Sequence, residues 1–163
     1  MNLWGLHAGK HGDTDTLFFG GDWIAIGWPN IPDLSPFIVE PERLKLVIAR
    51  YYDETKTATS RQPRGQIYRF IIELKVDDIV VFSNSFSDKR LHFARVIGKY
   101  VYSQEIEPMY PHRRKVKWVL LSVPRSEFSK SALQLGVDRP QSFFQIKDGA
   151  AREEYMSKIR HLL

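Results

Sequence analysis

At 163 residues, with 43% hydrophobic and 26% charged residues, the chain has the size and composition of one domain with its own core, which excludes wholesale disorder and collagen-like or coiled-coil architectures. It contains no cysteine, so disulfides, thiol nucleophiles and Cys-type zinc sites are excluded together. No run approaches the roughly 20 apolar residues of a membrane span, and the net charge is +5 with 13% aromatic residues, so a cytoplasmic protein without a membrane partner is expected.

In chain order, Leu3 to His7 and Trp23 to Trp28 are short apolar and aromatic runs separated by Gly9, Gly12, Gly20 and Gly21, which predicts two strands joined by a glycine-punctuated loop. A loop rich in proline and polar residues follows (Pro29, Pro32, Asp33, Ser35, Pro36). Glu40-Pro41-Glu42 then opens a helix with Leu44, Ile48 and Tyr51 or Tyr52 at helical spacing, ending near Asp53. Residues 55–64 are polar and free of acids, an exposed loop before a second helix from Gly65 to Leu74. Strands are predicted at Ile79–Phe82, Leu91–Tyr102, Val116–Val123 and Phe143–Ile146, with Gly98 marking a bulge or bend of the kind that closes a barrel. Ala150 to Leu163 is an amphipathic helix. Strict βα alternation is missing, so the pattern predicts an α+β domain around a strongly curved or partly closed sheet.

Motifs for chemistry are weak. "HAGKHGD" lacks the spacing of a phosphate-binding glycine loop, His7 and His11 lie in a glycine-rich segment unsuited to a metal site, and no nucleophile elbow is present. Glu73-Leu74-Lys75 has the letters of a nuclease E-x-K pair but falls at a helix end in the basic part of the chain. No catalytic residue, metal or cofactor is therefore expected.

Charge is the stronger signal. Residues 1–54 hold 4 Lys+Arg against 8 Asp+Glu, residues 55–125 hold 14 against 6, and residues 126–163 hold 6 against 5. The middle thus carries +8, a clustered field suited to a polyanion. Its densest part is "YPHRRKVKW", Tyr110 to Trp118, where alternation on a strand places Lys115 and Lys117 on one face and Arg114 with Val116 and Trp118 on the other. His112, Arg113, Arg114, Lys115 and Lys117, with Arg61 and Arg64 from the preceding loop and helix, are candidates for a nucleic-acid backbone; a solvated edge strand protected by lysines is the other reading. Of four tryptophans, Trp28 stands out because it ends a strand before the proline-rich loop, where Asp33 and Ser35 offer hydrogen bonds to a base edge.

The run "GQIYRFIIELKVDDIVVFSNS", Gly65 to Ser85, resembles the central helix-to-strand segment of EVE domains in the PUA-like superfamily, with Asp77 where that pattern has Gly. "WGLHAGKHGD", "IAIGW", "DLS", "ARVIGKYVY", "YPHRRKVKWVLLSVPR" and "FFQI" follow in the same order. The set is similar to the N-terminal reader region of Mrr-like and other modification-dependent restriction proteins. The resemblance implies a PUA-like, EVE-type pseudobarrel flanked by helices over residues 1–149, with 150–163 a C-terminal helix that could lead to a further domain. It implies a non-enzymatic module for double-stranded DNA carrying a modified base, methylated or hydroxymethylated and flipped into an aromatic pocket. In a restriction or phage-defence system a nuclease or NTPase would be the partner. Carried over by position, the pocket comprises Trp28, Asp33, Ser35, Gln66, Tyr68 and Arg69, with Tyr68 where relatives often have Trp. An RNA-binding PUA-like module and a small metal-dependent nuclease using Glu73 and Lys75 remain the alternatives, with a small-ligand sensor a third.

Overall fold

The computed structural model describes residues 1–9, 12–53, 61–83 and 89–163, and the side chains of these except 52, 53, 61 and 62. Six strands form one curled mixed sheet: β1 (Leu3–His7), β2 (Trp23–Ile26), β3 (Ile79–Ser83), β4 (Leu91–Tyr102), β5 (His112–Val123) and β6 (Phe143–Gln145), in the spatial order β2-β5-β4-β3-β1-β6. β1 runs parallel to β3, and every other pairing is antiparallel.

The curl follows from the β4–β5 hairpin, whose strands are 12 residues each. The first part of β4 pairs with β3, from Leu91 opposite Ser83 to Arg95 opposite Ile79. At the other end of the hairpin, His112 to Lys115 of β5 pair with Ile26 to Trp23. Between these halves the register shifts from Val96 to Tyr100. Gly98 lies in that shift, and a Cβ there would stand 2.9 Å from the Lys115 Cβ, so close approach of the two backbones requires glycine. The structure therefore has the curved α+β architecture expected from the strand pattern, of the PUA-like type that the resemblance implies.

Alternation sorts the side chains into two cores. On β3, Val80 and Phe82 enter one and Ile79 and Val81 the other. The first core lies beneath α1 (Pro41–Asp53), α2 (Arg61–Tyr68), the π-helical turn Arg69–Glu73 that continues it, and a second π-helical turn, Thr16–Gly20. Against the other face pack α3 (Lys130–Leu135) and α4 (Gly149–Ser157), capped by Ser129 and Asp148, whose side chains accept from the Ala132 and Ala151 amides. Tyr155, Met156 and Ile159 are buried in that second core, and the Tyr155 hydroxyl donates to the Ala132 carbonyl.

α3 and the turn Thr16–Gly20 were not expected, the helix expected over 150–163 ends at Ser157 with a 3-10 turn at Arg160–Leu162 after it, and two elements begin earlier than expected. α2 begins at Arg61, earlier than Gly65, because Pro63 sits in its first turn, where a missing N–H costs nothing. β5 begins at His112, not Val116, because its first three side chains find partners inside the protein.

Candidate nucleic-acid cleft

A concavity of about 970 Å³ opens where the chain leaves β1, β2 and β3, and loops before β5 and β6 close it. His7, Ala8 and Gly9 come from β1, Ile26, Gly27 and Trp28 from β2, and Ser83 from β3; Tyr110 precedes β5, and residues 138–140 with Ser142 precede β6. Its size lies within the range that takes one small ligand or one nucleotide unit.

Trp28 is a half-buried aromatic of this cleft, and its backbone has φ +57°, a conformation costly for a bulky side chain. Its carbonyl holds it there. The oxygen accepts from the Ile31 amide at 3.0 Å and from His112 Nε2 at 3.2 Å. His112 is fully buried; its Nδ1 accepts from the Tyr100 hydroxyl at 2.7 Å, and that hydroxyl accepts from the Leu34 amide at 3.3 Å. Burial lowers the His112 pKa to about 4, so the ring is neutral, with its proton on Nε2 facing the Trp28 carbonyl. Trp4 and Trp118, by contrast, give their indole N–H to Asp78 and to the Phe18 carbonyl, and the Lys115 ammonium covers the Trp23 ring at 4.6 Å.

Tyr110 lies in the same cleft with its hydroxyl 3.4 Å from the Asp13 carboxylate, and burial together with that carboxylate raises its pKa. Behind it, the buried Arg113 guanidinium donates to the carbonyls of Tyr110, Glu105 and Glu107 and so fixes the hairpin loop. His7 donates from Nε2 to the Val137 carbonyl, and burial lowers its pKa. On the wall formed by the β6 approach, one Arg125 nitrogen donates to both Asp138 carboxylate oxygens, at 2.5 and 2.7 Å. Lys89 and Arg139 add exposed cations to the rim.

The residues singled out in the sequence separate into distinct places. Trp28 lines the cleft. Gln66 is buried behind it, accepting from the Ser142 and Phe143 amides at 2.8 and 3.1 Å; it shapes the wall without facing the opening. Asp33 and Ser35 do not reach the cleft: Asp33 accepts from the Ser35 amide and hydroxyl in a local turn, and Ser35 lines another groove with Lys99 and Tyr100. Tyr68 packs on the first core under the Lys45 ammonium, 4.9 Å from its ring centre. Arg69 lies in a second depression beside the cleft.

The basic run is corrected most. His112, Arg113 and Arg114 are buried rather than presented to a phosphate, because each donates to backbone carbonyl oxygens of neighbouring turns and loops. Arg114 donates to the carbonyls of Phe70, Leu74 and Gly98, ending the π-helical turn, and burial lowers its pKa to about 10. Lys115 donates to the Gly21 carbonyl at 2.6 Å, whereas Lys117 is exposed. Arg64 is half-buried on α2, and the Arg61 side chain lies outside the described residues, as does His11. Lys75 donates to the Ile72 carbonyl, and among the described residues no three His, Cys, Asp or Glu side chains are grouped to hold a metal.

Tyr110, Arg125, Asp138 and Arg139 went unrecognised in the sequence. Tyr110 heads the basic run and could have been read with it; the other three are dispersed singly and carry no local pattern.

The curled half-barrel sheet with flanking helices, with a cleft at its strand ends, is an α+β fold of the PUA-like type. Residues 4–136 match the family described as Domain of unknown function (DUF8426), and the chain belongs to that family. No curated protein matches it. Among solved structures it is similar to the YTH domain of Mmi1 (TM-score 0.52, 8% identity, 99% of this chain and 96% of that one). It is also similar to the complex of the YTH domain-containing protein mmi1 with RNA (TM-score 0.51, 9% identity, 98% and 82%). At such identities the likeness is one of fold.

Proposed function

We propose that the protein is a non-enzymatic nucleic-acid reader that takes one base, modified or not, of a single-stranded RNA into the cleft, with Trp28 as the stacking surface and Tyr110 opposite or beside it. The observation that carries this is Trp28 itself, a bulky residue held at φ +57° by a buried hydrogen-bonded chain so that its ring lines the cleft. Strain maintained at one residue by its surroundings is characteristic of ligand sites. RNA is favoured because mmi1, whose fold is similar, has been solved with RNA.

The cation distribution supports the same choice. A base drawn from a DNA duplex costs a few kcal/mol of unstacking, to be offset by phosphate contacts. Of the four cations at 113, 114, 115 and 117 that the sequence offered for that purpose, only Lys117 is exposed. A single strand makes no such demand. Modified duplex DNA with a nuclease or NTPase partner, as in restriction systems, is therefore the less supported reading.

The test is an anisotropy titration of one sequence as single-stranded RNA, single-stranded DNA and duplex DNA, each unmodified and with N6-methyladenine, 5-methylcytosine or 5-hydroxymethylcytosine. Single-stranded RNA should bind tightest, and a tenfold preference for one form, about 1.4 kcal/mol, would name the base. Trp28→Ala should weaken that form by about 5- to 150-fold, the worth of one stacked base, and leave salt-sensitive background binding. Equal weakening of every form would remove Trp28 from the pocket, and tighter binding of modified duplex would return DNA to first place.

A further inference from the structure

Beside the cleft lies a second depression of about 400 Å³, and Arg139 lines both. Its other lining residues include Arg69, Gln141, Gln145 and Lys147, with Glu73 as its one carboxylate. The Arg139 guanidinium is exposed and sits over the Phe144 ring, 5.6 Å from its centre, so an aromatic face orients it while its donors stay toward solvent. Among the described residues no carboxylate lies within ion-pair distance of Arg139, Arg69 or Lys147. These three cations are available, whereas Arg113, Arg114 and Lys115 bond to carbonyls of the protein itself.

We propose that this depression is the subsite for the nucleotide next to the recognised base, with the connecting phosphates of the strand held by Arg139, Arg69 and Lys147. The proposal rests on the reader function above and gives the strand a path: out of the cleft, over Arg139, and along the π-helical turn that carries Arg69. Arg139 spans the boundary between the two concavities, where the phosphate joining the two nucleotides has to pass. Gln141 and Gln145 offer amide donors and acceptors to the second base or its ribose. The exposed lysines of the β4–β5 face, Lys99 and Lys117, take no part.

A pool of random-sequence single-stranded 9-mer RNA is the probe, because phosphate contacts are independent of sequence. Its affinity is measured from low to moderate salt for the wild type, for Arg69→Gln/Arg139→Gln/Lys147→Gln, and for Lys99→Gln/Lys117→Gln. Each phosphate contact contributes about 0.7 to the slope of log K against log salt for a single strand. The first variant should lose about 2 from that slope and the second nothing, with both melting like the wild type. A slope unchanged in the first variant, or lost in the second, would overturn the path while leaving the reader function standing. Absence of wild-type binding to this pool and to single-stranded DNA alike would overturn both. A mononucleoside probe separates the subsites further: Arg69→Gln/Lys147→Gln, at residues that do not line the cleft, should weaken the 9-mer and not the nucleoside, and equal weakening of both would place these cations in the base pocket instead.

Discussion

Acidification should unlatch the support of Trp28, and His112 sets the size of the effect. The ring is neutral in the folded protein, with a pKa lowered by burial to about 4, against 6.5 for a solvated histidine. Below pH 6.5 the unfolded chain binds a proton that the folded one refuses, so stability is full above that pH and falls as pH drops toward 4. Across the whole window the difference is worth about 3 kcal/mol, and about 2 kcal/mol of it should be gone by pH 5.0. The structural reason is local. A protonated His112 still donates to the Trp28 carbonyl, but its Nδ1 no longer accepts from the Tyr100 hydroxyl, which then faces a buried cation. His112→Gln, with an amide nitrogen for Trp28 and an amide oxygen for Tyr100, keeps the bonds without titrating in this range. Urea denaturation of both proteins at pH 7.5 and 5.0, followed by circular dichroism, isolates the contribution. His7, whose pKa burial also lowers, acts in the same direction in each and cancels in the comparison. Equal acid loss in wild type and His112→Gln would show that the buried ring is not the titrating group.

Arg114→Met should destabilise by about 3–5 kcal/mol at neutral pH in the same denaturation assay, because it leaves the Phe70, Leu74 and Gly98 carbonyls without their shared donor. Gln66→Ala should cost about 1–3 kcal/mol by removing the acceptor of two amides at the start of β6, and hydrogen exchange should quicken first at Ser142 and Phe143. Gly98→Val should lower the melting temperature by several degrees through its clash with the Lys115 Cβ, while Gly149→Ala, in open space at the start of α4, should not.

Much of the fold was legible because period-2 alternation and glycine placement report sheet geometry directly. The ends of β1 and β4, the start of α1 and the bend at Gly98 all lie where the pattern puts them. The π-helical turns and α3 were not legible: the turns depend on tertiary partners such as the Arg114 guanidinium, and α3 spans only six residues. Of the site, Trp28 could be found from its position at a strand end. The basic run misled because charge in a sequence does not say where a side chain points. At three consecutive positions it is used for positioning: His112 holds the Trp28 carbonyl, Arg113 the Tyr110 carbonyl, and Arg114 the end of the π-helical turn. Two of the three thus fix the aromatic residues of the cleft, so the run serves the site from behind it.

If the surroundings impose the left-handed backbone at Trp28, its cost should be measurable apart from its use. Alanine and glycine both remove the indole and its packing against the first core, but only glycine adopts φ near +57° without penalty. Trp28→Gly should therefore be more stable than Trp28→Ala by about 1 kcal/mol, the steric cost of a Cβ in that region, although glycine also makes the unfolded chain more flexible. Neither variant should retain base discrimination. If Trp28→Ala proves at least as stable as Trp28→Gly, the conformation is set by the indole's own packing. The His112 chain would then follow the backbone instead of holding it. The expected order would instead mean that the protein bears a steady loss of stability at one residue to keep an aromatic face turned into the cleft.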